Sequence, residues 1–528
     1  MTDTKGNSDE TKQTSAENSI DDKPPYKWLV MVYLAGDNNL TSECVYSLTE
    51  MKKVKTGDRV KVTAQFDPRG SKVPVHRYEI NREKKSAKLE VPKDGEKIGE
   101  DVIPVVSCSK PYPYSRGKAS RVTAAASREG EEVSEVNTGD PETLYDFIGW
   151  SMETFKAERH MIVLAGHAGG TEADYLLKDE NPRGSLSLGD LQRVFQAIEH
   201  NFKKIEVVGM DVCLMSMGEI CYQLRDLVDF VVGAEGYSAT AGWPYGDILR
   251  AMDSVLQKNQ DLPPLDLSRI IVHQYSNYYS DYVVGGFSSD ISAIDTSRNS
   301  MELLVKAVSG LTEQLNAELS RGLAIKEKGG RSEFLDQIVL AHWEAQSYNG
   351  ERFADLYDFC ELLEQRYASQ TVQGSDRTLL RNALRGVKDV IKEHIVKASC
   401  FSGVDYQFSN GISVYFPWSI VNPDYPKISF AKESCWARFL QLYTEATRRK
   451  PRGYVPGGPM HWANLEHYRT GEDRTGEDRG EPNPLYGNPV YSMRNPPLVP
   501  PGKEGQSDCL KEQTFDLERL DNLFFQIE

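Results

Sequence analysis

The amino-acid sequence predicts an α/β fold in which a mostly parallel sheet is flanked by helices, with an added helical accessory region. Short apolar runs without strict alternation, such as KWLVMVYLAG, HMIVLAG and KIEVVGMD, are typical of strands that are buried on both faces. Amphipathic stretches separate these runs, as expected when helices cover both faces of the sheet. Between about residues 296 and 400 the helical periodicity dominates, and this stretch predicts the accessory region.

The remaining elements follow in chain order. RVKVTAQF and LVDFVVGAE are two further predicted strands, and GISVYFP is expected to return as a strand after the accessory region. Helix starts are indicated at Asp140-Pro141 and at Ser187, because Asp and Ser are good N-cap residues and Pro is favoured in the first turn. Residues 107–136 show no periodicity and are predicted to form an exposed loop.

Composition divides the chain into three parts. Residues 1–24 are polar and predict a disordered leader. Residues 25–450 predict one folded domain. Residues 451–528 are rich in Pro, Gly and charge, contain the repeat RTGEDRTGEDRG, and predict a flexible tail. Its last stretch, FDLERLDNLFFQIE, is either a short docked helix or a frayed terminus.

Charge and cysteine usage exclude several classes of protein. Lys and Arg total 62 against 78 Asp and Glu, a net charge of −16, which disfavours nucleic acid as a partner and favours basic peptides. The same charge is also explained by solubility alone. The eight cysteines form no C-x-x-C pair, which argues against a zinc site and against a disulfide framework.

No apolar run marks a secretory signal, and none approaches the ~20 apolar residues that span a bilayer. The sequence therefore predicts no membrane span. We expect a cytoplasmic location, where a reducing environment preserves a free thiol.

The first motif with chemical content is RHMIVLAGHAGG, in which an apolar run ends at Gly166 and His167. In an open parallel sheet, catalytic groups gather at the carboxyl ends of the strands. The small neighbours leave the imidazole uncrowded and let a backbone N–H approach a substrate carbonyl. The alternative interpretation is a histidine that only hydrogen-bonds within a glycine-rich turn.

The second motif is KIEVVGMDVCLMSMGEICYQLRD, a strand followed by an amphipathic helix. This order predicts that Cys213 lies at or near a helix N-terminus, where unpaired N–H groups and the helix dipole stabilise a thiolate. The alternative is a buried, unreactive cysteine. Because His167 and Cys213 end successive core strands, we expect both at one edge of the sheet, as a Cys–His pair requires.

Taken together, the ordered motifs resemble those of the clostripain family, a caspase-related group of cysteine peptidases. They are WLVMVYLAGDNNL, NTGDPETLYDFI, AGHAGG, GMDVCLM, AEGYSATAGWPYGDIL and GISVYFP. The resemblance covers about residues 26–448, and GMDVCLM is its most specific mark. It implies a caspase-like fold and a peptidase domain at residues 25–450.

The resemblance also implies that His167 and Cys213 are the catalytic dyad. The oxyanion would be held by the N–H of Cys213 and by the N–H of the residue after the histidine, Ala168. The family usually has Gly at that position. Alanine keeps the N–H but disfavours positive φ, so we expect the oxyanion hole to form only if this backbone adopts an allowed conformation.

Asp211 precedes the nucleophile by two residues, where the family places an acidic group in the pocket for the residue before the scissile bond. A carboxylate there selects Arg or Lys through a charge-assisted pair. The alternative is that Asp211 caps the following helix. Glu235, Trp243 and Tyr245 lie in the loop AEGYSATAGWPYG and are candidate substrate-binding residues, although Trp and Tyr in such a loop also serve as packing anchors.

Members of the family commonly cut themselves between the two catalytic motifs. The corresponding segment here is DYLLKDENPRGSLS, so Lys178 and Arg183 are candidate autocleavage sites; the alternative is a surface loop with two solvated charges. Relatives include calcium-dependent enzymes, which makes calcium a candidate cofactor by resemblance. The sequence has no EF-hand pattern, and it indicates no particular metal ligands.

The leading functional hypothesis is a cysteine endopeptidase that cleaves proteins or peptides after Arg or Lys through an acyl-enzyme. The first alternative is a catalytically weak or inactive caspase-like interaction protein, which Ala168 favours. The second is a cysteine acyl hydrolase or transferase that acts on small molecules.

Overall fold

A computed structural model describes most of the chain between residues 26 and 447. The described residues are 26–70, 75–80, 102–103, 105–115, 136–173, 175–180, 183–349, 352–368, 377–418, 420–447 and 508–509. The predicted disordered leader, most of the predicted tail and part of the predicted loop at 107–136 lie outside them.

The strands are numbered in chain order. They are β1 (Tyr26–Gly36), β2 (Val60–Pro68), β3 (His76–Glu79), β4 (Val102–Ile103), β5 (Ala157–Ala165), β6 (Leu176–Glu180), β7 (Arg183–Leu186), β8 (Ile205–Asp211), β9 (Val228–Gly233), β10 (Ser289–Asp295), β11 (Ser347–Tyr348), β12 (Phe353–Asp355), β13 (Val396–Ser402), β14 (Ser413–Tyr415) and β15 (Asp508–Cys509).

The helices are numbered in the same way. They are α1 (Thr41–Lys52), α2 (Pro141–Thr154), α3 (Gly170–Ala173), α4 (Leu188–Asn201), α5 (Gly218–Gln223), α6 (Tyr245–Gln257), α7 (Pro264–Ser280), α8 (Arg298–Glu327), α9 (Glu333–Glu344), α10 (Leu356–Leu363), α11 (Thr378–Val390), α12 (Ser429–Glu433) and α13 (Trp436–Thr447). Short 3-10 helices occupy Asp281–Gly285 and Tyr425–Lys427, and single π-turns occupy Glu364–Ala368 and Ile391–Ile395.

The described residues form a ten-stranded central sheet in the order β15-β13-β10-β9-β8-β5-β1-β2-β3-β4. The five central strands, from β9 to β2, are parallel, and antiparallel strands extend the sheet at both edges. The predicted α/β class with a parallel core is confirmed.

Strand β1 shows why the apolar runs lack alternation. Leu29, Met31 and Tyr33 belong to the core on one face of the sheet. Trp28 and Val30 belong to the core on the other face. Both sets are almost fully buried, so from Trp28 onward the strand carries apolar side chains on both faces.

The two predicted helix starts are confirmed by their caps. Asp140 accepts a hydrogen bond from the Glu142 N–H at the start of α2. Ser187 and Asp190 form a reciprocal capping box at the start of α4.

The predicted helical accessory region is confirmed as helices α8 to α11, whose apolar side chains join the core on one face of the sheet. GISVYFP contains the strand that its apolar run predicts, but this strand lies outside the central sheet. Its strand β14 pairs with β12 in a separate three-stranded sheet, and β13 joins the central sheet instead. The apolar run identified a strand but carried no information about its distant pairing partner.

Strand β15 pairs with β13, where Cys400 and Cys509 are register partners. Cys400 is disulfide-bonded, which is a finding separate from the disulfide framework that the cysteine spacing argued against. The free cysteines among the described residues include Cys213 and Cys435. Over those same residues, no helix combines the length and the apolar character needed to cross a bilayer.

Candidate active site

His167 and Cys213 leave neighbouring parallel strands at matched positions. Ala165 at the end of β5 pairs with Asp211 at the end of β8, and each catalytic candidate follows two residues later. The Gly166 N–H also donates to the Asp211 carbonyl, with an N to O distance of 3.4 Å. We call residues 166–170 the histidine turn and residues 212–216 the cysteine turn. The register brings both turns to the same edge of the sheet.

The cysteine turn is not a helix N-terminus, which corrects the sequence-based expectation. Helix α5 begins at Gly218, five residues after Cys213, and is only six residues long. The amides that follow Cys213 are already paired: the Leu214 N–H donates to the Gly236 carbonyl, and the Met215 N–H donates to the Ala234 carbonyl. A helix dipole therefore does not stabilise a thiolate here.

Leu214 adopts a left-handed backbone conformation with φ of 63°. This costs a residue with a Cβ about 1–2 kcal/mol, and Leu214 is also almost fully buried. Such strain persists only where the surroundings fix the backbone, and it is concentrated at functional sites. The strained residue directly follows the candidate nucleophile.

The environment of Cys213 favours a neutral thiol. Burial raises the pKa of Cys213 above its ordinary value, and the nearby carboxyl groups of Asp211 and Asp290 raise it further, while a hydrogen bond from the Ser238 backbone opposes them. The thiol must therefore lose its proton to a base during the reaction rather than wait as a thiolate.

His167 is suited to be that base because it is neutral at rest. Burial lowers the pKa of His167, the positive charge of Lys178 lowers it further, and Glu180 opposes both. The imidazole is half-buried, and its Nε2 lies 2.7 Å from the Oδ1 of Asn39. Sequence analysis did not identify Asn39 as a site residue, although it too follows a strand of the parallel core.

The Ala168 backbone is compatible with an oxyanion-hole donor. Ala168 is not among the described residues with positive φ, so alanine replaces glycine without strain. Ala168 forms an antiparallel bridge to Leu176, in which the hydrogen bonds belong to the flanking pairs Leu177 with His167 and Gly169 with Tyr175. The Ala168 N–H is thus at a non-hydrogen-bonded position and points away from its bridge partner.

Asp211 is buried beside the cysteine turn and does not cap a helix through its side chain. Its Oδ2 accepts hydrogen bonds from the Trp243 N–H at 3.0 Å and from the Tyr245 hydroxyl at 2.8 Å. Both of these bonds fall on the same carboxyl oxygen. Burial raises the pKa of Asp211 to about 6, although both hydrogen bonds oppose the rise. At neutral pH the carboxyl group is therefore mostly ionised.

Trp243 and Tyr245 are packing residues, which corrects their assignment as substrate contacts. Both are almost fully buried in the core. The Trp243 ring occupies the space beside Gly209, where a Cβ added to the glycine would lie only 2.7 Å from the ring. These aromatic residues hold the loop 234–246 against β8 and hydrogen-bond the carboxyl group of Asp211.

Glu235 is also inaccessible to substrate, since none of its surface is exposed. Its Oε1 accepts the Gly411 N–H at 2.6 Å. Burial and the neighbouring Asp355 and Asp290 raise the pKa of Glu235 well above its ordinary value. Asp290 in turn accepts the backbone N–H groups of Glu235 and Gly236 at 2.6 and 3.0 Å. We call Glu235, Asp290 and Asp355 the acidic cluster.

Two tyrosines lie close to Cys213: Tyr237, in the loop AEGYSATAGWPYG that the sequence indicated for substrate binding, and Tyr175, which sequence analysis did not identify. The proximity of Cys213 raises the pKa values of both Tyr175 and Tyr237, in addition to the effect of burial. The Tyr237 side chain is half exposed, and its hydroxyl donates to Asn349 Oδ1 at 3.0 Å. Both are accessible aromatic groups beside Cys213. The position of Tyr175 beside Cys213 is visible only in the structure.

The candidate autocleavage residues lie on a hairpin beside the histidine turn. Lys178 is on β6 and Arg183 begins β7, and both are exposed. The Lys178 carbonyl accepts a hydrogen bond from Asn38 Nδ2, so its backbone is more firmly held than its side chain.

With this geometry established, comparison with known proteins identifies the family. The sequence profile of the clostripain family matches residues 32–442, most of the chain. The chain belongs to the clostripain family. Clostripain from Hathewaya histolytica is 22% identical over 439 residues, which covers 74% of this chain and 74% of that protein.

The chain is also similar to the X-ray structure of a secreted C11 cysteine protease from Bacteroides thetaiotaomicron in complex with an irreversible peptide inhibitor. The TM-score is 0.50 at 15% identity, covering 78% of this chain and 99% of that chain. This likeness confirms the caspase-like fold. Membership of the clostripain family makes the protein a cysteine-type peptidase. The hypothesis of an inactive interaction protein loses the support of Ala168, because the backbone there has no positive φ.

Proposed function

We propose that this clostripain-family peptidase is an endopeptidase that cleaves after Arg or Lys, with Cys213 as nucleophile and His167 as base. The observation that carries the proposal is the register between β5 and β8, which leads His167 and Cys213 out of adjacent strands two residues after a paired position. The buried carboxyl group of Asp211 lies at the root of the same turn.

The proposed chemistry begins with both partners neutral. His167 accepts the thiol proton as the sulfur attacks the scissile carbonyl, and a tetrahedral intermediate forms. The backbone N–H groups of Cys213 and Ala168 stabilise the oxyanion, a contribution of about 3 kcal/mol per donor. Collapse expels the amine, which takes the proton from His167, and water then hydrolyses the acyl-enzyme.

Cys213→Ala tests the nucleophile. We expect it to abolish hydrolysis of a peptide reporter with Arg before the scissile bond, and labelling of the protein by a basic peptide chloromethyl ketone. Cys435→Ser is the matched control, because Cys435 is an exposed free thiol, and it should retain both properties. Undiminished hydrolysis by Cys213→Ala would refute the proposal.

Asp211→Asn tests the basic specificity. Loss of one charge-assisted hydrogen bond, worth about 1.5–3 kcal/mol, predicts a fall in kcat/KM of roughly 10- to 150-fold for the Arg reporter. A reporter with the uncharged isostere citrulline should be less affected. Asp247→Asn is the control, since Asp247 is partly exposed and paired with Arg250. Equal losses on both reporters would assign Asp211 a structural role only.

Autocleavage after Lys178 or Arg183 is part of the proposal. It is supported by the exposure of both side chains on the hairpin that borders the histidine turn. The purified chain should be incubated with and without calcium, and the fragments sequenced from their N-termini. Fragments beginning at Asp179 or Gly184 that are absent in Cys213→Ala support it. Fragments that persist in Cys213→Ala would point to another protease.

Calcium enters that experiment as a variable suggested by family resemblance. Across the described parts of the chain, no group of three or more His, Cys, Asp or Glu side chains is arranged to hold a metal ion. The acidic cluster does not supply such a site, because backbone N–H groups occupy all of its carboxyl oxygens except Oε2 of Glu235.

A further inference from the structure

Asn39 contacts the imidazole of His167 directly. It follows β1, in which Leu34 pairs with Ala165 of β5, so Asn39 and His167 leave adjacent strands. The Asn39 Oδ1 lies 2.7 Å from His167 Nε2. Asn39 is exposed, so burial does not dictate where its side chain lies. A specific hydrogen bond does.

The preceding residue, Asn38, is the one whose side chain stabilises this turn. Asn38 is buried, and its Nδ2 donates to the carbonyls of Ala35 and Lys178, each at 2.9 Å. It therefore ties the end of β1 to the hairpin. Asn39 lies beside it without these ties, and its side chain is directed to His167 instead.

The Asn39 Oδ1 is a carbonyl oxygen and can only accept a hydrogen bond. With the amide in this orientation, His167 carries its proton on Nε2, which leaves the lone pair on Nδ1. We infer that Asn39 is a positioning residue that holds His167 in the tautomer whose Nδ1 can accept the thiol proton. This inference rests on the proposed pairing of His167 with Cys213.

An amide suits this role better than a carboxylate. The charged groups that act on His167 are Lys178 and Glu180 of β6. A second carboxylate at position 39 would stabilise the imidazolium and raise the pKa of His167. Asn39→Asp should therefore keep the His167 tautomer that is protonated on Nε2. It should also move the acid limb of the pH profile of kcat/KM, which reports the pKa values of the free enzyme, to higher pH.

The kinetic test compares Asn39→Ala with Asn39→Asp on the Arg reporter. Loss of a partner that orients a histidine typically costs about 10- to 100-fold in activity. We expect Asn39→Ala to lower kcat by that factor with KM little changed. At a pH above the shifted acid limb, Asn39→Asp should recover most of the lost kcat. Equal kcat in Asn39→Ala and the wild type, with the same pH profile, would overturn the inference.

The tautomer itself can be read by ¹⁵N NMR of protein labelled at histidine, with His167→Gln used to assign the signals. The wild type should show a protonated Nε2 for His167, and Asn39→Ala should show a mixture of tautomers. This measurement requires no peptidase activity. If the tautomer shifts but no peptide is cleaved, the proposed function fails, whereas the assignment of Asn39 as the residue that sets the His167 tautomer stands.

Asn38→Ala is the control for a purely structural defect. It removes three side-chain hydrogen bonds, two donated by Nδ2 and one accepted by Oδ1, so it should lower Tm, whereas Asn39→Ala should leave Tm unchanged. If Asn39→Ala lowers Tm as much as Asn38→Ala and Asn39→Asp gives no recovery, Asn39 is a structural residue and the inference is wrong.

Discussion

The cysteine turn and the histidine turn leave adjacent strands, but they are anchored by different kinds of contact. Three amides after Cys213 donate to the backbone of residues 234–236, and that segment is held by the buried Asp290. The histidine turn is held by backbone pairing to 175–177 and by the exposed Asn39. The cysteine turn is thus fixed from the interior, whereas the imidazole of His167 is held by a contact at the surface.

This difference explains how one site combines rigidity with accessibility. Buried polar networks specify a single arrangement because an unpaired buried group is expensive. Surface hydrogen bonds are weaker and exchange readily with water. We therefore expect changes on the cysteine side to affect stability and activity together. Changes at Asn39 should affect activity alone.

Asp290→Ala gives the largest expected effect on the cysteine side. It leaves the buried N–H groups of Glu235 and Gly236 without acceptors, at about 1–3 kcal/mol each. Urea unfolding should show a loss of about 3 kcal/mol, together with a large loss of reporter hydrolysis. The exposed Asp281→Ala is the control. Near-normal stability in Asp290→Ala would mean that the cysteine side is not anchored from the interior.

Gly242→Ala should have the next largest effect. Gly242 has φ of 74°, and a Cβ there would lie 2.9 Å from Asp211 Oδ2. Gly286 has φ of 81° with open space around it, so Gly286→Ala carries the backbone strain of about 1–2 kcal/mol alone. Gly242→Ala should lose more stability than this control and should also raise KM for the Arg reporter. Equal stability and KM in the two variants would show that the contact with Asp211 is unimportant.

Glu235→Gln should change how stability depends on pH. The pKa of Glu235 is raised in the folded state, so its stabilising contribution is complete below the pKa of the unfolded chain and is lost as pH rises through the folded pKa. Glutamine stays neutral and removes that loss, which amounts to at most ~1.4 kcal/mol per pH unit for one proton. Unfolding measured from pH 5 to 8 should give a flatter profile. The exposed Glu302→Gln should leave the slope unchanged.

Tyr245→Phe is the smallest change. It removes the hydroxyl that donates to Asp211 Oδ2, at about 1 kcal/mol. That bond lowers the pKa of Asp211, which is about 6 with the bond in place, so its loss should raise this pKa further. The rise in KM for the Arg reporter on acidification should then begin at a higher pH. A control is Tyr145→Phe, whose hydroxyl contacts Asn201 away from the site. If the pH dependence of KM for the Arg reporter does not shift in Tyr245→Phe, Asp211 does not bind the Arg side chain of the substrate.

The sequence predicted the parts of this fold that depend on local chemical type. Apolar runs marked β1, β5 and β8 because strands buried on both faces have no polar side. His167 and Cys213 stood out because reactive groups at strand ends are visible in the residue order. Glu235 and Tyr245 were misassigned because residue type does not reveal which way a side chain points.

Features that depend on distant pairing were beyond sequence reasoning. The strand in GISVYFP was recognised, but its partner β12 is about sixty residues away. Asn39 was not identified as a site residue, because nothing in the sequence separates it from Asn38, whose side chain stabilises the turn. The sequence does show that Asn39 follows a strand of the parallel core. This position indicates a contact with His167 only once β1 and β5 are known to be neighbours.

The hairpin of β6 and β7 lies in the chain between the strand of His167 and the strand of Cys213. A cut after Arg183 would place the base on one polypeptide and the nucleophile on another. Five register pairs between β5 and β8, together with the shared core, would still hold the pieces side by side. The mature enzyme would then be a two-chain particle with one active centre per pair, which separates only on denaturation and in which neither fragment is catalytic alone.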